Sequence, residues 1–233
     1  MIVYGRNPVR EALRGSRRVS QIWASRNAAR EPWLSARSAD LTVVAAEELE
    51  RRSGSTAHQG ICAEVSAFEY ADEASILSLP GPLIVALDQV QDPQNLGAIC
   101  RTAECAGASA MVITERRAAE VTPAVCKASA GAVEHLPIAR VRNLADFLVQ
   151  AKGAGLWCYG AQQGARTEYE RVDYGGGVVL VLGGEGKGLR PRVAAGCDAL
   201  VSIPLRGRIE SLSVSAAAAV LLYAAARKPP QKS

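Results

Sequence analysis

The sequence predicts an α/β protein in which a small N-terminal domain precedes a larger domain built on a parallel sheet. From Leu83 onward, short apolar runs alternate with helical patterns, which is typical of parallel strands covered by helices on both faces. Residues 1–66 show a shorter alternation of the same kind. Residues 67–81 are acidic and lead into the run Pro80-Gly81-Pro82, which indicates a linker. The predicted domains are therefore 1–66 and 82–233, joined by the linker 67–81.

Composition limits the class of protein without defining its activity. Hydrophobic residues make up 48% and charged residues 21% of the 233 positions, which indicates a globular chain and excludes a disordered one. A net charge of +4 is compatible with a nucleic-acid partner. The N-terminal residues lack an apolar targeting segment, and the most apolar later stretch, Val214–Ala226, is too short to span a bilayer. We therefore expect a cytoplasmic protein without a membrane partner.

The cysteines predict no metal site. None of the six stands in a CxxC pair, and only two histidines are available to complete a zinc site. Scattered cysteines of this kind are interpreted as reduced, buried thiols of a cytosolic protein.

Each element is predicted from its apolar period and its start and stop signals. In the first domain, Asn7-Pro8 predicts a helix start, with Asn7 as the cap. The remaining predictions there are strands over Val19–Trp23, Leu41–Ala45 and Gly60–Val65, and a helical turn over Glu47–Arg52. The strands predicted in the second domain are Leu83–Leu87, Ala110–Ile113, Leu136–Ile138, Leu156–Tyr159, Val178–Leu182 and Leu200–Ile203. The predicted helices are Asn95–Ala106, Pro123–Ser129, Asn143–Ala154 and Ser211–Arg227.

A first polar cluster, residues 87–108, follows the first strand of the second domain. A polar loop leads from Asp88 to a helix that carries Asn95 and Arg101. In an open α/β sheet the carboxyl ends of the strands form the ligand-binding edge, so both side chains are expected near a site. The alternative interpretation is an ordinary helix cap and a surface arginine.

A second cluster, residues 178–189, runs from an apolar strand into the glycine-rich turn Gly183–Gly188. It fails the Walker A pattern because Val181 stands at the first glycine and Gly188 follows the lysine. Its glycine spacing and late position also fail the dinucleotide fingerprint. The turn therefore predicts close approach of the backbone to a ligand. Glu185 within it suits a hydroxyl group or a cation better than a phosphate.

A third cluster, residues 201–225, contains a strand end at Ile203-Pro204, a loop with Arg206 and Arg208, and a helix start within SLSVS. Considered alone, the serines are helix caps and the alanine-rich run is tight helix packing.

The three clusters, in this order and spacing, resemble the SpoU/TrmH family of RNA 2′-O-ribose methyltransferases. The segment 127–143, KASAGAVEHLPIARVRN, is similar to the branch that acts on a guanosine of 23S ribosomal RNA. The opening YGRNPVREAL and the HQGI at 58–61 resemble the N-terminal RNA-binding domain of that branch, which has a fold like ribosomal protein L30e.

The resemblance implies a deep trefoil knot in the second domain, S-adenosylmethionine as cofactor, RNA as partner, and a homodimer with its site near the subunit interface. The positions that match cofactor-binding residues of the family are Gly183, Gly184, Ile203, Leu205, Leu212 and Ala161. The positions that match its catalytic residues are Arg101, Asn95, Glu185, Ser211 and Ser213.

Two roles are open for Arg101. It is either the base that deprotonates the ribose hydroxyl, or a charged group that holds an RNA phosphate and stabilises the developing alkoxide. A guanidinium group stays protonated because its pKa lies above about 12, which favours the second role. Asn95 and Glu185 would orient Arg101 and the nucleotide.

Ser213 departs from the family pattern, which reads SLNVS where this chain has SLSVS. Serine is shorter than asparagine and lacks its amide. Ser213 therefore leaves open a catalytically weak RNA-binding or ribosome-assembly relative as an alternative. A second alternative is a transfer RNA methyltransferase, because the motifs specify the reaction more closely than the substrate. A nicotinamide-dependent oxidoreductase is suggested only by the glycine-rich turn, whose late position argues against it.

Overall fold

A computed structural model describes residues 1–34, 40–186 and 188–226, which form two β-sheets. The described strands of the N-terminal sheet are β1 Ile2–Tyr4, β2 Val19–Ala24, β3 Leu41–Val43 and β4 Ile61–Val65. Their order is β1-β4-β2-β3, with β2 and β3 parallel and the other pairs antiparallel. This sheet is accompanied by the helices α1 Arg6–Arg14 and α2 Ala46–Ser53.

The second sheet is parallel throughout the described residues. Its strands are β5 Leu83–Asp88, β6 Ala110–Thr114, β7 Ile138–Val141, β8 Trp157–Ala161, β9 Thr167–Glu168, β10 Val178–Gly183 and β11 Ala199–Ser202. Their order is β7-β6-β5-β10-β8-β11-β9, and every pair is parallel. The helices are α3 Glu73–Leu77, α4 Pro93–Cys105, α5 Pro123–Ala128, α6 Leu144–Gly153, α7 Pro191–Gly196 and α8 Val214–Ala226. The predicted α/β class, with a parallel sheet after a small α/β domain, is confirmed.

Burial on both faces explains the continuous apolar strands of this sheet. Along β5, Val85 and Leu87 point into one core cluster, while Ile84 and Ala86 point into the other. A strand that alternated polar and apolar residues would bury polar side chains in one of these two clusters. The strand must therefore be apolar on both faces. Because they are parallel, the central strands β5, β6 and β10 all end at the same edge of the sheet, and the polar loops that follow them lie there. The predicted knot stays a prediction.

Several predicted boundaries were wrong for local reasons. The helix assigned to start at Asn95 begins at Pro93, because the Asp92 carboxylate accepts a hydrogen bond from the Gln94 amide at 2.9 Å. Asn7 is not a cap but lies inside α1, which is preceded by Gly5 at a φ of 97°. The strand assigned to Leu136–Ile138 is instead Ile138–Val141.

The last predicted helix was also placed too early. It begins at Val214 instead of Ser211, and its predicted end at Arg227 lies outside the described residues. The prediction of uniformly buried thiols was wrong too, because Cys105 is exposed and Cys197 is only partly buried.

The segment 67–81 is more ordered than a plain linker. It contains α3, whose cap Asp72 accepts a hydrogen bond from the Ser75 amide at 3.1 Å. Ile76 is buried in the core of the second domain, and the Ala71 amide donates to the Ile138 carbonyl at 2.8 Å. The segment is thereby attached to the second sheet, while the proposed domain limits stay a prediction.

A buried ion pair joins the two domains. Arg17 Nε donates to Glu134 Oε2 at 2.9 Å, and a second bond joins Arg17 Nη2 to Glu134 Oε1. Only 7% of the Arg17 side chain and 1% of the Glu134 side chain are exposed. A neighbouring bond of 3.0 Å links Glu11 to His135. Glu134 and His135 belong to the segment that resembles the guanosine-specific branch, so in the structure that segment docks the N-terminal domain.

Candidate active site

A cleft of about 610 Å³ lies at the carboxyl ends of β8, β10 and β11. All six residues predicted to bind a cofactor line it: Ala161, Gly183, Gly184, Ile203, Leu205 and Leu212. Three of the five predicted catalytic residues line it as well: Glu185, Ser211 and Ser213. Residues separated by about 50 positions in sequence thus meet at the predicted edge of the sheet.

The glycine-rich turn forms one wall of this cleft, and two of its glycines have no room for a side chain. A Cβ atom on Gly183 would collide with the backbone of Gly188, and one on Gly184 would collide with the Gln89 carbonyl oxygen. Gly186 and Gly188 have φ values of 75° and 62°, in the left-handed region that side chains disfavour. At Gly183 and Gly184 the turn therefore presents backbone to a ligand, and Glu185 adds its side chain.

A polar network crosses from the turn to the last helix. Asn95 Nδ2 donates to a carboxylate oxygen of Glu185 and, at 3.3 Å, to Asp92 Oδ2. Asn95 Oδ1 accepts a bond of 2.9 Å from Ser215 Oγ, which lies 3.2 Å from Ser213 Oγ. The predicted residues Asn95, Glu185 and Ser213 are brought together, and Ser215 is the link that our site prediction missed.

Ser213 also caps helix α8, because its Oγ accepts a bond of 3.2 Å from the Ala216 amide. This is the bonding of an N-cap residue, a position at which serine and asparagine are both favoured. Serine therefore fulfils the structural requirement of this position. The interpretation of this serine as a cap is confirmed, while its role in the site stays a prediction.

Arg101 lies apart from this network within one chain. It follows Asn95 by six residues along α4, a rise of about 9 Å, and it points to a different side of the helix. Its side chain is exposed and makes no ion pair with any residue that the structure describes. The structure thus supports the alternative of a surface arginine for Arg101 in the isolated chain.

Across the glycine-rich turn lies a second cavity of about 630 Å³. It shares Gly184, Glu185 and Gly188 with the cleft, and Asn95 also lines it. At its base the buried Asp88 carboxylate accepts hydrogen bonds from Arg190 N at 2.8 Å and Nε at 2.7 Å. The sequence placed Asp88 at a strand end, but no local signal paired it with an arginine about 100 positions later.

These features describe an α/β protein with two cavities on either side of one glycine-rich turn at the edge of a parallel sheet. Residues 82–223 match the SpoU rRNA Methylase family, and residues 2–71 match the family of RNA 2′-O ribose methyltransferase substrate-binding domains. The chain belongs to the SpoU family, and its class of activity is RNA 2′-O-methylation.

Individual relatives agree with this assignment. The chain is 38% identical to a TrmH family tRNA/rRNA methyltransferase, YacO, of Bacillus subtilis, over 97% of this chain and 95% of the relative. It is 38% identical to the 23S rRNA (guanosine-2′-O-)-methyltransferase RlmB of Pseudomonas putida, over 97% and 96%. The AdoMet complex of the SpoU methyltransferase AviRb from Streptomyces viridochromogenes superposes with a TM-score of 0.82 at 25% identity, covering 97% of this chain and 89% of that one.

Two further properties concern the described ranges only. None of their helices combines the length and the apolar character that a membrane crossing requires. No group of three or more His, Cys, Asp or Glu side chains within them is placed to hold a metal ion.

Proposed function

We propose that this protein transfers a methyl group from S-adenosylmethionine to the ribose 2′-hydroxyl of a guanosine in 23S ribosomal RNA. The observation that carries the proposal is the network of Glu185, Asn95, Ser215 and Ser213, which borders a cleft lined by every predicted cofactor residue. Such a ribosomal substrate would place the enzyme in the cytoplasm.

The cleft fits the cofactor in size and in chemistry. Its volume of about 610 Å³ lies within the range of small-molecule sites. The backbone at Gly183 and Gly184, where a Cβ atom has no room, would approach the cofactor closely, and Ile203, Leu205 and Leu212 would contact its apolar surfaces. When bound, the cofactor supplies an activated methyl group. AdoMet is bound in the AviRb structure, which supports the same cofactor here.

The chain's own residues mainly position the acceptor. An in-line transfer needs the hydroxyl oxygen within about 3.5 Å of the methyl group, so orientation supplies much of the rate. The Glu185 carboxylate, held by Asn95, can accept a hydrogen bond from the ribose hydroxyl. Arg101 would hold an RNA phosphate and stabilise the developing alkoxide as a permanent cation.

We also propose that the protein works as a homodimer. Arg101 is exposed and distant from the network within one chain, and Tyr223 on α8 is 53% exposed. A second subunit packed near α8 would cover such a side chain and complete the site. Light scattering after size-exclusion chromatography is expected to give twice the chain mass of 24.5 kDa, whereas a monomeric mass at assay concentration contradicts this proposal.

Ribosomal RNA is the favoured substrate because RlmB of Pseudomonas putida, whose name specifies a 23S rRNA guanosine, is similar over nearly the whole chain. Transfer RNA is the second candidate because the Bacillus subtilis relative is named for both RNA classes. A catalytically weak relative is disfavoured, since Ser213 keeps both its cap and its place in the network.

The test is transfer of label from methyl-labelled S-adenosylmethionine to unmodified 23S ribosomal RNA and to unmodified transfer RNA, followed by mapping of the methylated ribose. We expect one guanosine of 23S RNA to be labelled, and Arg101→Ala to abolish the labelling. In the unaltered protein, a methylation rate that rises strongly with pH would support the base role, while a rate with little pH dependence supports the phosphate role. The absence of labelling on both RNAs would overturn the proposed function.

A further inference from the structure

The second cavity has no assigned ligand, although it adjoins the proposed cofactor cleft. Its walls come from the loop after β5, the loop after β6 and the glycine-rich turn after β10. All three follow the carboxyl ends of adjacent strands, the usual edge for ligands in such a sheet. Because the cavity and the cleft share Gly184, Glu185 and Gly188, ligands in the two would meet at that turn.

The backbone around the cavity is held in an unusual conformation. Gln89 and Arg117, on two different loops, have φ values of 62° and 56°, which non-glycine residues rarely adopt. The two loops are tied together by a bond of 2.8 Å from the Ala119 amide to the Val90 carbonyl. Such conformations cluster at ligand sites, where the surrounding structure holds them in place.

Three carboxylates, those of Asp88, Asp92 and Glu185, line the cavity together with two arginines. Each carboxylate already accepts a hydrogen bond, Asp88 from Arg190 and the other two from Asn95. The guanidinium groups are therefore the charged groups that remain available to an anionic ligand.

Asp88, almost completely buried, fixes the backbone amide and Nε of Arg190, which leaves both Nη atoms of that guanidinium without a partner among the described residues. Arg117 makes no ion pair with a described residue. A positioned arginine beside an unpaired one matches phosphate groups, which guanidinium groups bind through paired hydrogen bonds.

Amide side chains complete the lining. Gln89 and Gln91 face the cavity together with Asn95, and the two glutamines have no side-chain partner within the described ranges. An amide offers one donor and one acceptor group, the combination that reads the edge of a nucleobase. Phosphate-binding and base-binding groups thus surround a volume of about 630 Å³, enough for one nucleotide.

We propose that this cavity binds the target nucleotide of the RNA, with Arg117 and Arg190 on its phosphates and Gln91 on the edge of its base. This inference rests on the proposed function, because it places the methyl acceptor across the glycine-rich turn from the methyl donor. The ribose then lies beside Glu185, which lines both cavities, and Asn95, which lines the second cavity and donates a hydrogen bond to Glu185. Enzymes that modify a base bind the nucleotide unstacked in a pocket, and the same arrangement would present the ribose here.

The phosphate contact is tested with Arg117→Asn, because asparagine tolerates a positive φ. The matched control is Arg116→Asn, which removes the same charge from an adjacent exposed residue that does not line the cavity. Binding of in-vitro-transcribed 23S RNA is measured by fluorescence anisotropy across a series of salt concentrations, with S-adenosylhomocysteine present. We expect Arg117→Asn to weaken binding about tenfold and to reduce the salt slope by about one, and the control to do neither.

The base contact is tested separately with Gln91→Ala. We expect an unchanged salt slope, but about a tenfold loss of discrimination between the target nucleotide and the same RNA with that nucleotide replaced. For both variants, calorimetry should give a cofactor Kd within about twofold of the unaltered protein, since neither residue lines the cofactor cleft. Thermal unfolding confirms that each variant is folded.

Equal RNA affinities and salt slopes for Arg117→Asn and Arg116→Asn would overturn the inference. A cofactor Kd weakened in parallel with RNA binding would also overturn it, because the cavity would then belong to the cofactor cleft. Failure of the unaltered protein to methylate RNA contradicts the proposed function, whereas the binding comparison still decides the role of the cavity. No binding of RNA by the unaltered protein would overturn both.

Discussion

Replacing Arg17 by methionine leaves the Glu134 carboxylate buried without its partner. The two side chains are 7% and 1% exposed, so water cannot replace the lost bonds. Although burial opposes a charge, the hydrogen bond and charge of Glu134 raise the pKa of Arg17, which indicates that the pair is charged in the folded protein. Removing one partner of such a pair costs about 3–5 kcal/mol, which lowers the melting temperature of a chain of this size by roughly 6–20 °C.

The assay is thermal unfolding followed by circular dichroism, with two further variants. The double variant Arg17→Met/Glu134→Leu removes both charges and should recover most of the loss, because apolar replacement of a buried pair is often neutral. Arg51→Met removes an arginine from the exposed pair with Glu48 and should leave the midpoint unchanged within error. A loss of less than about 1 kcal/mol for Arg17→Met, or no recovery in the double variant, would refute the reasoning.

Three more outcomes follow from local geometry. Gly183→Ala should abolish cofactor binding in calorimetry, whereas Gly186→Asn, at a position with open space around it, should retain it; equal affinities would contradict the steric argument. Ser213→Ala should lose about 1 kcal/mol of unfolding free energy in urea, while Ser213→Asn keeps the cap and the stability; identical losses would exclude a capping role. In the native protein a thiol reagent at pH 8 should modify the exposed Cys105 rapidly and the buried Cys126 slowly. Burial raises the pKa of Cys126 to about 11, so roughly a thousandth of this thiol is ionised at pH 8. Equal rates of modification would contradict the burial of Cys126.

The strands and the cleft at their carboxyl ends were largely predictable because their signals are local. A strand buried on both faces must be apolar along its whole length, so β5, β6 and β10 stand out as continuous runs. Turns that lead from such strands must lie at the sheet edge. The motif residues Gly183 and Ile203 were therefore placed correctly in one cleft.

The missed features depend on contacts between residues far apart in sequence. Ser215 bonds to Asn95 across 120 positions, and Arg17 bonds to Glu134 across 117. Neither the SLSVS run that contains Ser215 nor the RGSRR run that contains Arg17 has a sequence pattern that identifies a distant partner. Helix starts were misplaced for a related reason, since two polar residues near α4 could both cap it and only the fold selects Asp92.

The contacts of segment 127–143, which resembles the guanosine-specific branch, show that it also has a structural role. Glu134 and His135 bond to Arg17 and Glu11 of the N-terminal domain, so this part of the similarity describes how the two domains are joined. If these bonds persist in solution, they would hold the N-terminal domain in one position relative to the glycine-rich turn. Selection of one nucleotide would then have two sources, the RNA shape held by the docked domain and the base held beside Gln91. Because the two sources are separate, a variant that loosens the Arg17 junction should reduce the choice of RNA region while leaving the choice of base within that region intact.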